Sequence, residues 1–84
     1  MKTVDIYTTP SCPYCLAAKQ LLHKKSVQFN EIDVSRDAEL RQAMTRRAMG
    51  SRTVPQVFIG GQHVGGCDDL HALDHAGRLD TMLA

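Results

Sequence analysis

Thr3-Val4-Asp5-Ile6-Tyr7, then Thr8-Thr9-Pro10-Ser11, then Cys12-Pro13-Tyr14-Cys15-Leu16: how this stretch is read decides the fold. The first five residues alternate and are rich in β-formers, which predicts a strand. Thr8 to Ser11 reads as a turn. Pro13 suits the first position of a helix, where its missing N–H costs nothing. A C-x-x-C pair therefore falls at a strand-to-helix junction. Two cysteines at this spacing can hold a metal, staple a loop or exchange electrons. The junction favours electron exchange, because a helix N-terminus stabilises a thiolate.

Working outward, the helix continues to about Lys25. Ala17, Ala18, Leu21 and Leu22 form its apolar stripe, and Lys19, Lys24 and Lys25 face water. Val27 to Val34 reads as a second strand. Strand, helix and strand make a βαβ unit, which implies parallel pairing with a right-handed crossover. Ser35 is the expected N-cap of a second helix, with Asp37 and Glu39 in its first turn. Leu40, Ala43, Met44 and Ala48 share one face, and Gly50 is expected at C′. Pro55 must start a strand rather than sit inside one, so Gln56 to Ile59 is strand three. Gly60-Gly61 suits a two-residue hairpin turn, followed by Gln62 to Val64 as strand four. Gly65-Gly66 breaks it. Cys67 opens a third helix to about Ala76, and Leu79, Met82 and Leu83 form a tail that packs back. The order β-α-β-α-β-β-α predicts an α/β fold, one mixed four-stranded sheet with helices on both faces, and a single domain over residues 1–84.

Composition narrows the function classes. Ten basic against nine acidic residues give a net charge of +1 with no block of like charge, so nothing demands nucleic acid. No apolar run approaches membrane-spanning length. The opening Met1-Lys2-Thr3-Val4-Asp5 does not resemble a signal peptide, which makes the cytosol the expected compartment. Three cysteines at uneven spacing argue against a secreted disulfide scaffold. One C-x-x-C without a second pair falls short of four metal ligands, so no metal is expected.

Three separated blocks carry a family resemblance: Cys12-Pro13-Tyr14-Cys15, then Thr53-Val54-Pro55-Gln56-Val57-Phe58-Ile59, then Gly65-Gly66-Cys67-Asp68-Asp69-Leu70. Together and in this order they resemble the signature blocks of dithiol glutaredoxins, most like the short bacterial ones, and hence the thioredoxin fold. The resemblance runs from Ile6 to Leu83. It implies that Cys12 is the nucleophile and Cys15 the resolving thiol. It implies a cis Val54–Pro55 bond beside Cys12, where periodicity alone favours a trans one, since cis is found in only about 5% of X–Pro bonds. Glutathione is then the expected co-substrate. The backbone of Thr53 and Val54, next to Pro55, would pair with its cysteinyl part like an added strand. The amides of Cys67 and Asp68 would take its γ-glutamyl carboxylate, and the Asp68 side chain its ammonium. Gly66 would let the backbone approach the ligand. Gln42 falls where the family reaches the glycine carboxylate, with Arg41 as its neighbour.

Several of these residues have plainer readings. Asp68 and Asp69 are good helix-cap residues. Gln42 suits a solvated helix face, and Tyr14 a surface aromatic that can also pack on substrate. Cys67 reads as packing. His71 and His75 stand i, i+4 but lack a third ligand. Arg41, Arg46, Arg47 and Arg52 read as solvated surface that can draw anionic glutathione. Thr9 is a departure: many family members carry a lysine there, which would favour both the thiolate and the glycine carboxylate.

The leading expectation is a glutathione-dependent thiol–disulfide oxidoreductase. It would act as a monomer on protein–glutathione mixed disulfides and protein disulfides. A binding module holding an iron–sulfur cluster between protomers is the second reading, opposed by Pro13, whose ring would crowd that site. A thioredoxin-like donor is the third, and it leaves Gly65 to Asp69 without a purpose.

Overall fold

The computed structural model describes residues 1–84. The elements are β1 (Val4–Thr8), α1 (Pro13–Lys24), β2 (Asn30–Asp33), α2 (Ala38–Arg47), β3 (Gln56–Ile59), β4 (Gln62–Gly65), α3 (Cys67–His75) and α4 (Leu79–Leu83). The sheet order is β2-β1-β3-β4. β1 runs parallel to β2, with Tyr7 opposite Ile32, and antiparallel to β3, with Ile6 opposite Val57. β3 and β4 form the hairpin, turned by Gly60 (φ 58°) and Gly61 (φ 81°). Left-handed φ at both positions is what a type I′ turn requires. No helix is long and apolar enough to cross a membrane.

Alternation along the strands splits the core between the two faces of the sheet. Val4, Ile6, Val57 and Ile59 point to the face covered by α1, α3 and α4, where Leu22, Leu70 and Leu79 are fully buried. Tyr7 and Phe58 point to the other face, where Met44 of α2 and Ala48 at its C-cap cover them. Tyr7 and Phe58 meet edge to face at 5.6 Å.

Several local expectations are corrected. β1 continues through Thr8, which is a buried strand residue and not part of the turn. β2 is shorter than Val27 to Val34, because Ser26 adopts φ 58° and Val27 N–H closes the end of α1 on Leu22 C=O at 3.0 Å. Only Asn30 to Asp33 remain to pair with β1. The N-cap of α2 is Asp37, whose carboxylate accepts from Leu40 N at 3.1 Å. Ser35 N–H is instead taken by Asp33 Oδ1 at 2.8 Å. The left-handed backbone after α2 starts at Met49, with φ 56°, and continues through Gly50, with φ 96°. Gly50 N–H bonds Thr45 C=O at 2.8 Å, completing a Schellman end with Met49 at C′. α1 ends the same way on Ser26, and α3 on Gly77. The C-terminal tail is itself a short helix, with Leu79 and Leu83 buried.

The basic residues divide. Lys19 and Lys25 do not simply face water: Lys19 pairs with Glu31, and Lys25 with Asp74 and Asp80. Arg47 is structural. Its guanidinium lies 4.1 Å from the Phe58 ring centroid and donates to Tyr7 Oη at 3.0 Å and Asp5 Oδ2 at 3.1 Å. Its stem and charge close the outer edge of the α2-side core.

Candidate active site

The strand-to-helix junction puts Cys12 at the N-cap of α1, with extended backbone (φ −98°, ψ 110°). Its sulfur does the capping: Cys15 N–H donates to Cys12 Sγ at 3.1 Å. The positive end of the helix thus points at that sulfur. Across the junction, Cys12 Sγ lies 3.7 Å from Val54 O, and the Val54–Pro55 bond is cis.

One turn further along α1, Cys15 is 1% exposed, whereas Tyr14 is 64% exposed. Burial pushes the Cys15 thiol up to about 12, assisted by its hydrogen bond with Cys12. At neutral pH Cys15 therefore holds its proton. All three cysteines are free thiols. The pair is unequal, with one sulfur at the helix mouth and one behind it.

Beside the thiols is an open cleft of about 390 Å³. Tyr14, Thr53, Val54, Pro55, Gly66, Cys67 and Asp68 all line it, so the fold gathers residues that lie far apart in sequence. Gln42 is not among the lining residues. It lies with Arg41, Arg46 and Arg52 on a separate groove of about 470 Å³. Arg41 donates to Arg52 C=O at 3.1 Å, which ties α2 to the start of the Arg52-Thr53-Val54 segment.

The far wall is the N-terminus of α3. Its N-cap, Gly66, has no side chain, and its first turn carries Asp68 and Asp69. Asp69 Oδ2 accepts from Gly66 N–H at 3.0 Å. Cys67 is buried, and burial raises its thiol, with the Asp68 carboxylate adding to the effect. His71 Nδ1 lies 2.9 Å from Cys67 C=O and 3.4 Å from Cys67 Sγ. A carbonyl only accepts, so that bond places the ring hydrogen on Nδ1, where it cannot take the thiol proton. Cys67 therefore contributes packing. No group of three or more His, Cys, Asp or Glu side chains is placed to hold a metal.

Gln56 and His63 organise the cleft without having been singled out in the sequence. Gln56 is buried, and its Nε2 donates to Thr53 C=O at 3.0 Å and Ser51 Oγ at 2.9 Å. Its Oε1 faces His63 Nε2 at 2.7 Å. With the amide nitrogen committed to a carbonyl, Oε1 accepts and His63 Nε2 carries the hydrogen. This relay anchors the segment before Pro55. The available signal was a lone polar side chain at the start of a strand that is otherwise apolar, Val57-Phe58-Ile59.

A protein-family model described as Glutaredoxin matches residues 4–64. A Pseudomonas aeruginosa protein named Glutaredoxin is 58% identical over 84 residues, covering 100% of this chain and 99% of that one. The crystal structure of a buckwheat glutaredoxin–glutathione complex superposes with a TM-score of 0.88 at 30% identity, over 98% of this chain and 76% of that one. A structure described as "Metal Binding of Glutaredoxins" superposes at 0.75 with 55% identity, over 99% and 89%.

Proposed function

The chain belongs to the glutaredoxin family of thiol–disulfide oxidoreductases, and from that premise we propose that it reduces protein–glutathione mixed disulfides and protein disulfides at the expense of glutathione. The observation that carries this reading is the inequality of the two thiols. Cys12 sits partly exposed at the mouth of α1, beside the cleft, while Cys15 is buried behind it with its proton held.

The chemistry follows from that placement. Cys12 thiolate attacks the glutathione sulfur of a mixed disulfide and releases the substrate thiol. The enzyme then carries glutathione on Cys12. A second glutathione attacks the sulfur of the bound glutathione, the bond to Cys12 breaks, Cys12 is freed as its thiolate, and glutathione disulfide departs. Alternatively, Cys15 attacks Cys12 Sγ, closes the Cys12–Cys15 disulfide and expels glutathione. Protein disulfides need this second route, since only an internal thiol resolves the large mixed disulfide quickly.

For glutathione itself, the Thr53 and Val54 backbone beside Pro55 would pair with the cysteinyl portion. The Cys67 and Asp68 amides, together with Asp68, would hold the γ-glutamyl end. Tyr14 would flank the bound disulfide. Gln42 lies outside the cleft, but its groove meets the cleft along the chain at Arg52-Thr53. A glycine carboxylate reaching past Thr53 would therefore meet Gln42, Arg41 and Arg52, and the two arginines offset Thr9 where the family often has lysine. A monomer working in a reducing cytosol completes the proposal.

Glutathione-dependent turnover of a small mixed disulfide tests it. Cys12→Ser is expected to fall to the uncatalysed rate. Cys15→Ser is expected to retain deglutathionylation and lose protein-disulfide reduction. Equal activity in both variants would refute the assignment of nucleophile.

A similar structure described as concerned with metal binding keeps a second reading in view, the family's iron–sulfur cluster held between protomers through the first cysteine, here Cys12. Pro13 at the first position of α1 argues against it. Iron content and visible absorbance of protein purified without oxygen decide between the two, and a coloured, iron-loaded dimer would favour the second.

A further inference from the structure

To close the active-site disulfide, the Cys15 thiol must ionise, yet it is 1% exposed. Burial and the adjacent Cys12 sulfur both hold the proton on it. Two groups oppose them. The Thr9 N–H, just beyond β1, favours the thiolate, as does the positive charge of Lys19, one turn along α1 at i+4.

Lys19 is not a free surface lysine. Its Nζ lies 2.9 Å from Glu31 Oε2 on β2, and its side chain is only 26% exposed. The same carboxylate oxygen accepts from Thr8 Oγ1 at 2.8 Å, and Thr8 is itself buried. Hydrogen bonds from Lys19 and then Thr8 hold the Glu31 carboxyl below its usual range, so it stays charged and a poor base at neutral pH. The ammonium is thus anchored to the end of β1, next to the amide that serves the Cys15 sulfur.

We propose that Lys19, anchored by Glu31 and Thr8, is the positioning residue that readies Cys15 to close the active-site disulfide. This rests on the dithiol cycle described above. In the step itself, Cys15 gives its proton to solvent and its sulfur attacks Cys12 Sγ. The Cys12–Cys15 bond forms as the bond between Cys12 and glutathione breaks. Glutathione leaves as a thiolate and takes a proton from solvent. The Cys15 sulfur is oxidised and the glutathione sulfur reduced, so no outside oxidant is needed.

The neighbouring titratable groups are Cys12 and Lys19 around Cys15, Asp33 beside Glu31, and Cys67 of α3 beside Cys12. Lys19 is the cation among them. The Lys19 charge acts on Cys15 more weakly than burial, Cys12 or the Thr9 amide and is partly neutralised by Glu31, so its loss changes the thiolate population by up to about tenfold at an effective dielectric of roughly 20. A more basic thiolate is a better nucleophile, which returns about half of that on a logarithmic scale and leaves about threefold in rate.

The test mixes reduced protein with oxidised glutathione between about pH 6 and pH 9, quenches with acid, and follows glutathionylated and internally closed protein by mass spectrometry. Lys19→Met is expected to close about threefold more slowly, with its pH–rate profile displaced upward. Lys19→Arg is expected to restore the wild-type profile. Glu31→Gln keeps the cation and is expected to slow closure less than Lys19→Met. Wild-type closure by Lys19→Met would overturn the proposal, as would Lys19→Arg closing as slowly as Lys19→Met. So would a greater loss in Glu31→Gln, or an equal slowing of the first attack by Cys12. If wild-type protein itself is never seen to close, the dithiol cycle fails instead, a result distinct from these.

Discussion

At the N-terminus of α1 the cap is a side chain, the Cys12 sulfur, which accepts from Cys15 N–H at 3.1 Å. At the N-terminus of α3 the cap is Gly66, which has no side chain to offer. Both ends open on the same cleft region, but α1 has no acid in its first turn and α3 has Asp68 and Asp69. A helix mouth favours negative charge. α1 directs that preference at its own thiol, which is where a thiolate is wanted. α3 leaves the amides of Cys67 and Asp68 without a capping side chain, which suits an incoming carboxylate. In the proposed function, one helix end serves the nucleophile and the other would hold the ligand that brings its substrate.

The largest test of this contrast is Cys12→Ser, which keeps a capping oxygen but removes the nucleophile. Its turnover is expected to drop to background while its folding is little changed, read by the mixed-disulfide assay and a denaturation curve. At α3 the contrast lies between adjacent glycines. Gly65 has φ 120°, and a Cβ there would run into the Asp69 carboxylate that caps Gly66. Gly65→Ala is expected to lose about 2–4 kcal/mol of stability from strain and the lost cap. Gly66 has φ −90°, and its Cβ would sit 3.4 Å from Pro55 O, an ordinary contact. Gly66→Ala is expected to stay within about 1 kcal/mol of wild type but to raise the glutathione KM roughly three- to tenfold. If the two variants behaved alike, the α3 mouth would be structural only.

A smaller effect is the pH dependence that Cys15 brings to stability. Cys15 has its folded value raised from 9.0 to about 12, so the folded protein keeps a proton that the unfolded chain loses. Its contribution to stability is complete below about pH 9 and is lost as pH rises towards 12. Reduced wild-type protein is therefore expected to lose more stability between those limits than Cys15→Ser, as measured by denaturant unfolding. Smallest of all is Arg47→Met, on the face of the sheet away from α1. It keeps an apolar stem over Phe58 and is expected to lose about 1 kcal/mol without changing turnover. A change in turnover there would mean the two faces are coupled.

Much of this molecule was readable from local sequence. The glycine pair at Gly60-Gly61 could only be a turn with left-handed backbone, and it is. Pro55 marked the start of a strand over Gln56 to Ile59, which the structure confirms and buries on both faces. The caps were less legible. Ser35 and Asp37 are both competent N-caps, and the choice fell to Asp37 because Asp33 had already claimed the Ser35 amide. Gly50 is left-handed as expected, with φ 96°, but the helix ends one residue earlier, with Met49 at C′ and also left-handed. Arg47 read as solvated because nothing in its own helix shows that Tyr7 and Phe58 wait beneath it.

Sequence alone determined the order of elements through α3, which depends on periodicity and turn chemistry at short range, and three separated blocks carried the resemblance to the family. Tertiary structure decided which thiol is buried, which residues share the cleft, and that Gln42 lies in a neighbouring groove. It also turned Lys19 from a surface charge into one held between Glu31 and the neighbourhood of Cys15. The reason is physical. Burial and charge proximity are properties of distance in space, and in this fold strands β1, β2 and β3 bring together side chains and backbone that the chain itself keeps far apart.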